Sequence, residues 1–104
     1  MENNSNNNNY IFDVDETTFV EKVIEQSTDK IIIADFWAPW CAPCKQLTPV
    51  LEEIINETEG LIRLAKINID ENQQLAAQLR IQSIPTVIAF NKKKTRIAYN
   101  KNTL

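Results

Sequence analysis

The stretch WAPWCAPC, residues 37–44, holds both cysteines of the chain, two residues apart, beside its two tryptophans and two of its four prolines. The periods on its two sides differ. Lys30 leads into IIIADFW, Ile31 to Trp37, a continuous apolar run that suits a parallel strand covered on both faces. After Cys41 the spacing turns helical, with Leu47, Val50, Leu51, Ile54 and Ile55 on one face. The strand therefore delivers Cys41 to the start of a helix. A helix N-terminus carries unpaired N–H groups and the positive end of the dipole, and both stabilise a thiolate, the nucleophilic form. Pro43 costs little in a first turn, where its missing N–H would be unpaired anyway. With only two residues between them, Cys41 can attack a disulfide and Cys44 can resolve the mixed intermediate.

Outward from this centre the pattern alternates. Tyr10 to Val14 reads as a short first strand. Thr18 with Glu21 fits a capping box, ahead of an apolar helical face of Phe19, Val20, Val23 and Ile24. Pro49 lies inside the helix after the cysteines and is expected to kink it. Gly60, the only glycine, is a stop signal. Leu61 to Ile69 reads as a strand. Asn72 can cap a short helix carrying Leu75, Ala76 and Leu79. Pro85 opens a strand, Thr86 to Phe90, and Thr95 to Tyr99 returns in a hairpin. The layout is α/β with a mixed sheet flanked by helices.

The 104 residues make one domain, and 43% hydrophobic residues suffice for one modest core. Residues 10–104 are assigned to it, and residues 1–9 to an Asn-rich disordered tail. The net charge of −3 argues against general nucleic-acid binding. That average conceals −8 over residues 1–90 and +5 over residues 91–104. The basic end is read as solvated, with a weak contact to an acidic partner as the alternative. The polar start MENNSNNNN has no apolar segment behind it, and no run approaches the ~20 residues of a membrane span. The expectation is a cytoplasmic protein with no membrane partner. In a reducing compartment a Cys pair is catalytic or metal-binding more often than a structural staple. A structural zinc site needs two further ligands, and the chain has no His and no third Cys, so carboxylates or a second chain would have to supply them. The lack of His also removes a Cys–His nucleophile, and a single Gly removes a Gly-rich phosphate loop. A Cys pair of this spacing beside a βαβ pattern is a redox signature.

Three separated motifs, DFWAPWCAPCK (Asp35 to Lys45), KINIDEN (Lys66 to Asn72) and SIPT (Ser83 to Thr86), resemble the thioredoxin family over roughly Tyr10 to Phe90. The resemblance implies a thioredoxin fold and protein disulfide oxidoreductase activity with no bound cofactor. Electrons are expected from NADPH through a thioredoxin reductase, and the substrates are disulfide-containing client proteins. Cys41 is similar to the attacking thiol and Cys44 to the resolving thiol, together forming the redox disulfide. Asp35 resembles the family's buried carboxylate; within an apolar strand its pKa should be raised, so that it exchanges protons near neutrality and deprotonates Cys44. A merely structural buried Asp is the alternative. Lys66 resembles the lysine near that Asp, with surface solvation as the alternative. Pro85 resembles the proline that faces the disulfide after a cis bond, against an ordinary trans turn. Trp40, Ala42, Pro43, Ile84 and Pro85 are the substrate-binding candidates, and Trp37 is assigned to packing beneath the site.

Two segments depart from the family pattern. Ala42 stands where Gly is usual. After Phe90 the chain reads NKKKTRIAYNKNTL, with Lys93 and Lys101 roughly where two glycines belong and nothing left for a closing helix. The expectation is a divergent, truncated or frame-shifted end over 91–104 that leaves apolar sheet surface bare. CKQLTPVLEE with QLRIQSIPTV looks most like the thioredoxin domain of bacterial chaperedoxins, co-chaperones with helical repeats. A client- or chaperonin-binding module with secondary redox activity is the competing reading.

Overall fold

The apolar run Ile31–Trp37 forms the middle of the sheet in a computed structural model that describes residues 9–100. Its seven residues form β2, and both edges are paired. On one side lies β3 (Ile62–Asn68), parallel, in a register that sets Asp35 opposite Lys66. On the other lies β4 (Thr86–Asn91), antiparallel, with Phe36 opposite Thr86. β1 (Ile11–Asp13) adds to β3 in parallel, and β5 (Lys94–Asn100) adds to β4 as a hairpin. The five-stranded order is β1-β3-β2-β4-β5. This is the thioredoxin fold expected from the motifs. Residues 1–8 of the proposed tail and residues 101–104 of the basic end lie outside the described residues.

Two helices follow the strands that precede them: α1 (Ala42–Glu57) after β2 and α2 (Gln73–Gln78) after β3. α1 ends at Glu57, and Gly60 beyond it takes φ +98°, a conformation few other residues adopt; a Cβ there would also stand 2.9 Å from the Tyr10 ring. One sheet face is covered by the segment between β1 and β2, where Phe19 and Val23 join Ile32, Ala34, Phe36 and Phe90 in the core, and Phe19 meets Phe90 edge-on at 5.8 Å. That segment winds as a π-helical turn, Val20–Glu25, rather than the α-helix the periodicity predicts. The wider turn keeps Phe19 and Val23 inside and leaves Val20 exposed.

The caps also differ from expectation. The first helical turn is held by Asp15, whose carboxylate accepts from the Thr17 and Thr18 N–H groups while Asp15 N–H donates to the Thr18 hydroxyl. The reciprocal box is therefore Asp15–Thr18, one turn before the Thr18–Glu21 pair read from sequence. At α2, Asn72 occupies the capping position but does not cap with its side chain. Its Oδ1 accepts from Glu16 N–H at 2.9 Å, and Glu16 Oε2 accepts from Leu75 N–H at 3.0 Å. The cap is thus exchanged between segments far apart in sequence.

The other face carries α1. Asp35 points to this side, because its carboxylate bonds Thr48 of α1. Neighbours in register share a face, so Val87 and Tyr99, and likewise Ala89 and Ile97, lie on it too. α1 turns Ile55 into the core and half-buries Leu47 and Leu51, but Val50 and Ile54 are about half exposed. Ile97 and Tyr99 are exposed as well. Among the described residues no helix follows β5, and none is long and apolar enough to cross a membrane.

The long-range cap gives a direct test. Glu16→Ala should lower stability by about 1 kcal/mol, the typical cost of a lost N-cap, as a shift of the urea midpoint with an unchanged slope. An unshifted midpoint would show that the Leu75 N–H finds an equivalent partner in water.

Candidate active site

β2 ends at Trp37, and Cys41 follows as the N-cap of α1. Its carbonyl takes the Lys45 N–H at 3.3 Å, and its sulfur takes the Cys44 N–H, also at 3.3 Å. The dipole of a sixteen-residue helix therefore ends on Cys41 Sγ. Pro43 falls in the first turn, as the spacing predicts. Cys41 and Cys44 are joined as a disulfide with Cα atoms 5.3 Å apart. Both cysteines are buried, Cys41 at 4% exposure and Cys44 at 1%.

Around it, Ala42 and Pro43 are exposed, and Trp40 stands out with 67% of its surface free. The Trp40 Nε1–H donates to both oxygens of Asp70, at 3.2 and 3.1 Å, which fixes the ring despite its exposure. The Ile84–Pro85 bond is cis. Pro85 directly precedes β4, whose register with β2 sets Thr86 opposite Phe36, so Pro85 lies toward the strand end from which the Cys41 turn begins. Ile84 and Pro85 are buried rather than rim-like. Trp37 is half-buried and packs against the core, as assigned. A cavity of about 400 Å³ opens beside Trp37, Lys66 and Asn68, but neither cysteine lines it. The exposed Trp40, Ala42 and Pro43 make a ledge beside the disulfide.

Beneath the ledge, Asp35 is fully buried. Its Oδ2 accepts from the Thr48 hydroxyl at 2.7 Å, while Oδ1 makes no hydrogen bond among the described residues. Burial pushes the carboxyl above its ordinary value of 3.8; the Thr48 hydrogen bond and then the Lys66 charge pull it back, and Glu52 adds a smaller upward push. Lys66 does lie beside Asp35, but its ammonium is held by Glu52 Oε2 at 2.8 Å, on a partly exposed surface. The chain thus brings Asp35, Lys66 and α1 together, and it adds Thr48, Glu52 and Asp70, which the motifs alone do not single out. A signal for two of them exists: Cys44, Thr48 and Glu52 are spaced four apart on one helix and so share a face.

A disulfide at a helix N-terminus, in the turn that follows the central strand of a mixed sheet carrying a buried carboxylate, defines a thiol–disulfide oxidoreductase that works by dithiol–disulfide exchange through Cys41 and Cys44. The thioredoxin family profile matches residues 10–103. The chain is 46% identical to thioredoxin 1 of Nostoc sp. over 77 residues, covering 74% of this chain and 70% of the relative. It is 41% identical to the thioredoxin of Rickettsia felis over 95 residues, covering 88% and 89%. Among solved structures, a mutant thioredoxin from Halobacterium salinarum superposes with a TM-score of 0.76 at 32% identity, covering 88% of this chain and 78% of that one. The chain belongs to the thioredoxin family.

The burial of Asp35 predicts a pH-dependent stability. Its folded pKa is raised, so the folded chain holds this proton more tightly than the unfolded one, and stability falls as pH climbs from the ordinary 3.8 through the raised value. Asp35→Asn, neutral at every pH, should melt higher than wild type near pH 7, and the difference should vanish in acid. Melting curves across that range check the sign; a variant that melts lower throughout would contradict it.

Proposed function

We propose that the protein is a general protein disulfide reductase in which Cys41 attacks and Cys44 resolves. The observation that carries the assignment is the position of Cys41 as N-cap of α1, with its sulfur accepting the Cys44 N–H. Cys41 thiolate attacks one sulfur of a client disulfide, forming a mixed disulfide and expelling the client's other sulfur as a thiolate. Cys44 loses its proton to Asp35, attacks Cys41 Sγ and expels the second client thiolate. Two electrons pass from the dithiol to the client, whose two thiolates take up two protons. The Cys41–Cys44 disulfide remains.

Lys66, with Glu52 beside it, tunes the charge around Asp35. Trp40, Ala42 and Pro43 form the client ledge, with Ile84 and Pro85 buried behind it, and the backbone before Pro85 pairs with an extended client segment. The dithiol is regenerated with electrons from NADPH through a thioredoxin reductase, in the cytoplasm, and no prosthetic group takes part. The relatives at 40–46% identity are thioredoxins, which favours this reading over a chaperonin-binding module. Insulin reduction driven by NADPH and thioredoxin reductase tests it directly. Turnover supports the reductase; no turnover, with suppression of client aggregation that survives loss of both cysteines, would favour the chaperone instead.

The roles of the two thiols separate cleanly. Alkylation of the reduced protein near neutral pH should modify Cys41 first, because a helix N-terminus lowers a thiol's pKa. Cys44→Ser should accumulate client mixed disulfides on Cys41, and Cys41→Ser should form none. Mass spectrometry of trapped adducts reads both; preferential labelling of Cys44 would reverse the assignment.

A further inference from the structure

Cys44, Thr48 and Glu52 lie one turn apart along α1, and Thr48 hydrogen-bonds Asp35 across the gap to β2 at 2.7 Å. A threonine in a helix can turn its hydroxyl back to the carbonyl four residues earlier, which here belongs to Cys44. Thr48 donates to Asp35 Oδ2 instead. Asp35 Oδ1 is buried and makes no hydrogen bond among the described residues. The two oxygens of one carboxylate are therefore unequal: one is occupied by a donor, the other can take a proton.

We propose that Thr48 is a positioning residue for the exchange reaction: its hydroxyl ties the Asp35 carboxylate to the helix that carries Cys44 and reserves Oδ1 as the oxygen that receives the Cys44 proton. The proposal rests on the reading of Asp35 as the base for Cys44. In the resolving step the Cys44 S–H bond breaks and its proton passes to Oδ1, while the Thr48 O–H stays on Oδ2. The Cys44 thiolate then forms its bond to Cys41 Sγ, the bond from Cys41 to the client sulfur breaks, and the client leaves with that electron pair. Asp35 then returns its proton to solvent or to the departing thiolate.

The charged and titratable groups around Asp35 are few. Lys66 faces it from β3, Glu52 and the two cysteines belong to the α1 side, and its register partner in β4 is Val87, which does not titrate. A hydroxyl that donates to a carboxylate favours the ionised form. Without it, Asp35 should ionise only at higher pH, and the acid limb of the resolving step should move upward. Thr48 also holds the carboxylate in place, so its removal should be felt most where Asp35 is the working base and least where Cys44 ionises unaided.

The test uses the full chain loaded with thionitrobenzoate as a mixed disulfide on Cys41, with release by Cys44 followed in stopped flow as a function of pH. Thr48→Val should lose about tenfold in rate on the acid limb, the loss expected for a hydrogen bond to a charged group, and converge with wild type at alkaline pH. Thr48→Ser should restore the wild-type profile, and Thr48→Ala serves if the valine does not fold. A Thr48 variant whose profile overlays wild type, while Asp35→Asn flattens the acid limb, overturns the proposal and leaves Asp35 as the base. An equal slowing at every pH also overturns it, because that marks loose packing. If Asp35→Asn itself keeps the acid limb, the base assignment falls first.

Discussion

The central strand, Ile31 to Trp37, buried at Ile32 and from Ala34 to Phe36, must find hydrogen bonds on both edges and cover on both faces. That constraint organises everything else. β3 and β4 satisfy the edges, one parallel and one antiparallel, so β2 is the seam of the mixed sheet. The Phe19–Val23 segment covers one face and α1 the other. Because β2 runs straight into the Cys41 turn, the strand that is most tightly held also aims the reactive sulfur. The exposed ledge gains from such a base: the loop residues are exposed, but the frame beneath them is not.

Among the described residues, the same strand carries the one buried acid. Asp35 costs stability when ionised, and an Ile, Val or Leu there would pack with no such cost. Its neighbours reduce that cost without removing it: Thr48 supplies a donor, Lys66 a charge, and Glu52 diverts part of that charge. A group held between these opposing effects exchanges protons more readily than one fully neutralised. A buried acid of this kind marks a candidate functional site.

Some of this was legible in the sequence. The apolar run, the helical spacing after Cys41 and the three motifs identify the strand, the helix start, Cys41, Cys44, Asp35 and the Pro85 turn. These features are local, so periodicity and resemblance reach them. The Asp15 cap was missed because Thr18 fits a cap equally well in a linear reading; only the folded turn shows which of them accepts. The Glu16 carboxylate over Leu75 could not be seen at all, since no local rule joins residues 59 apart. Thr48 and Glu52 fall between these cases: their spacing from Cys44 is visible, but their value depends on β2 lying opposite. The stripe read as buried on α1 was too wide, since Val50 and Ile54 face outward.

The asymmetry of the sheet has one more consequence. β2 gives its amides to partners on two sides, whereas β5 pairs with β4 alone among the described strands and is exposed along nearly its whole length. Amides in such an edge can open without the core, while those of a central strand are released only when the whole domain unfolds. Deuterium should therefore enter this chain from the β5 margin inward and reach Ile32 to Phe36 last. The slow-exchanging centre would then coincide with the strand that holds Asp35, so that its carboxylate stays in place while the margin of the sheet fluctuates.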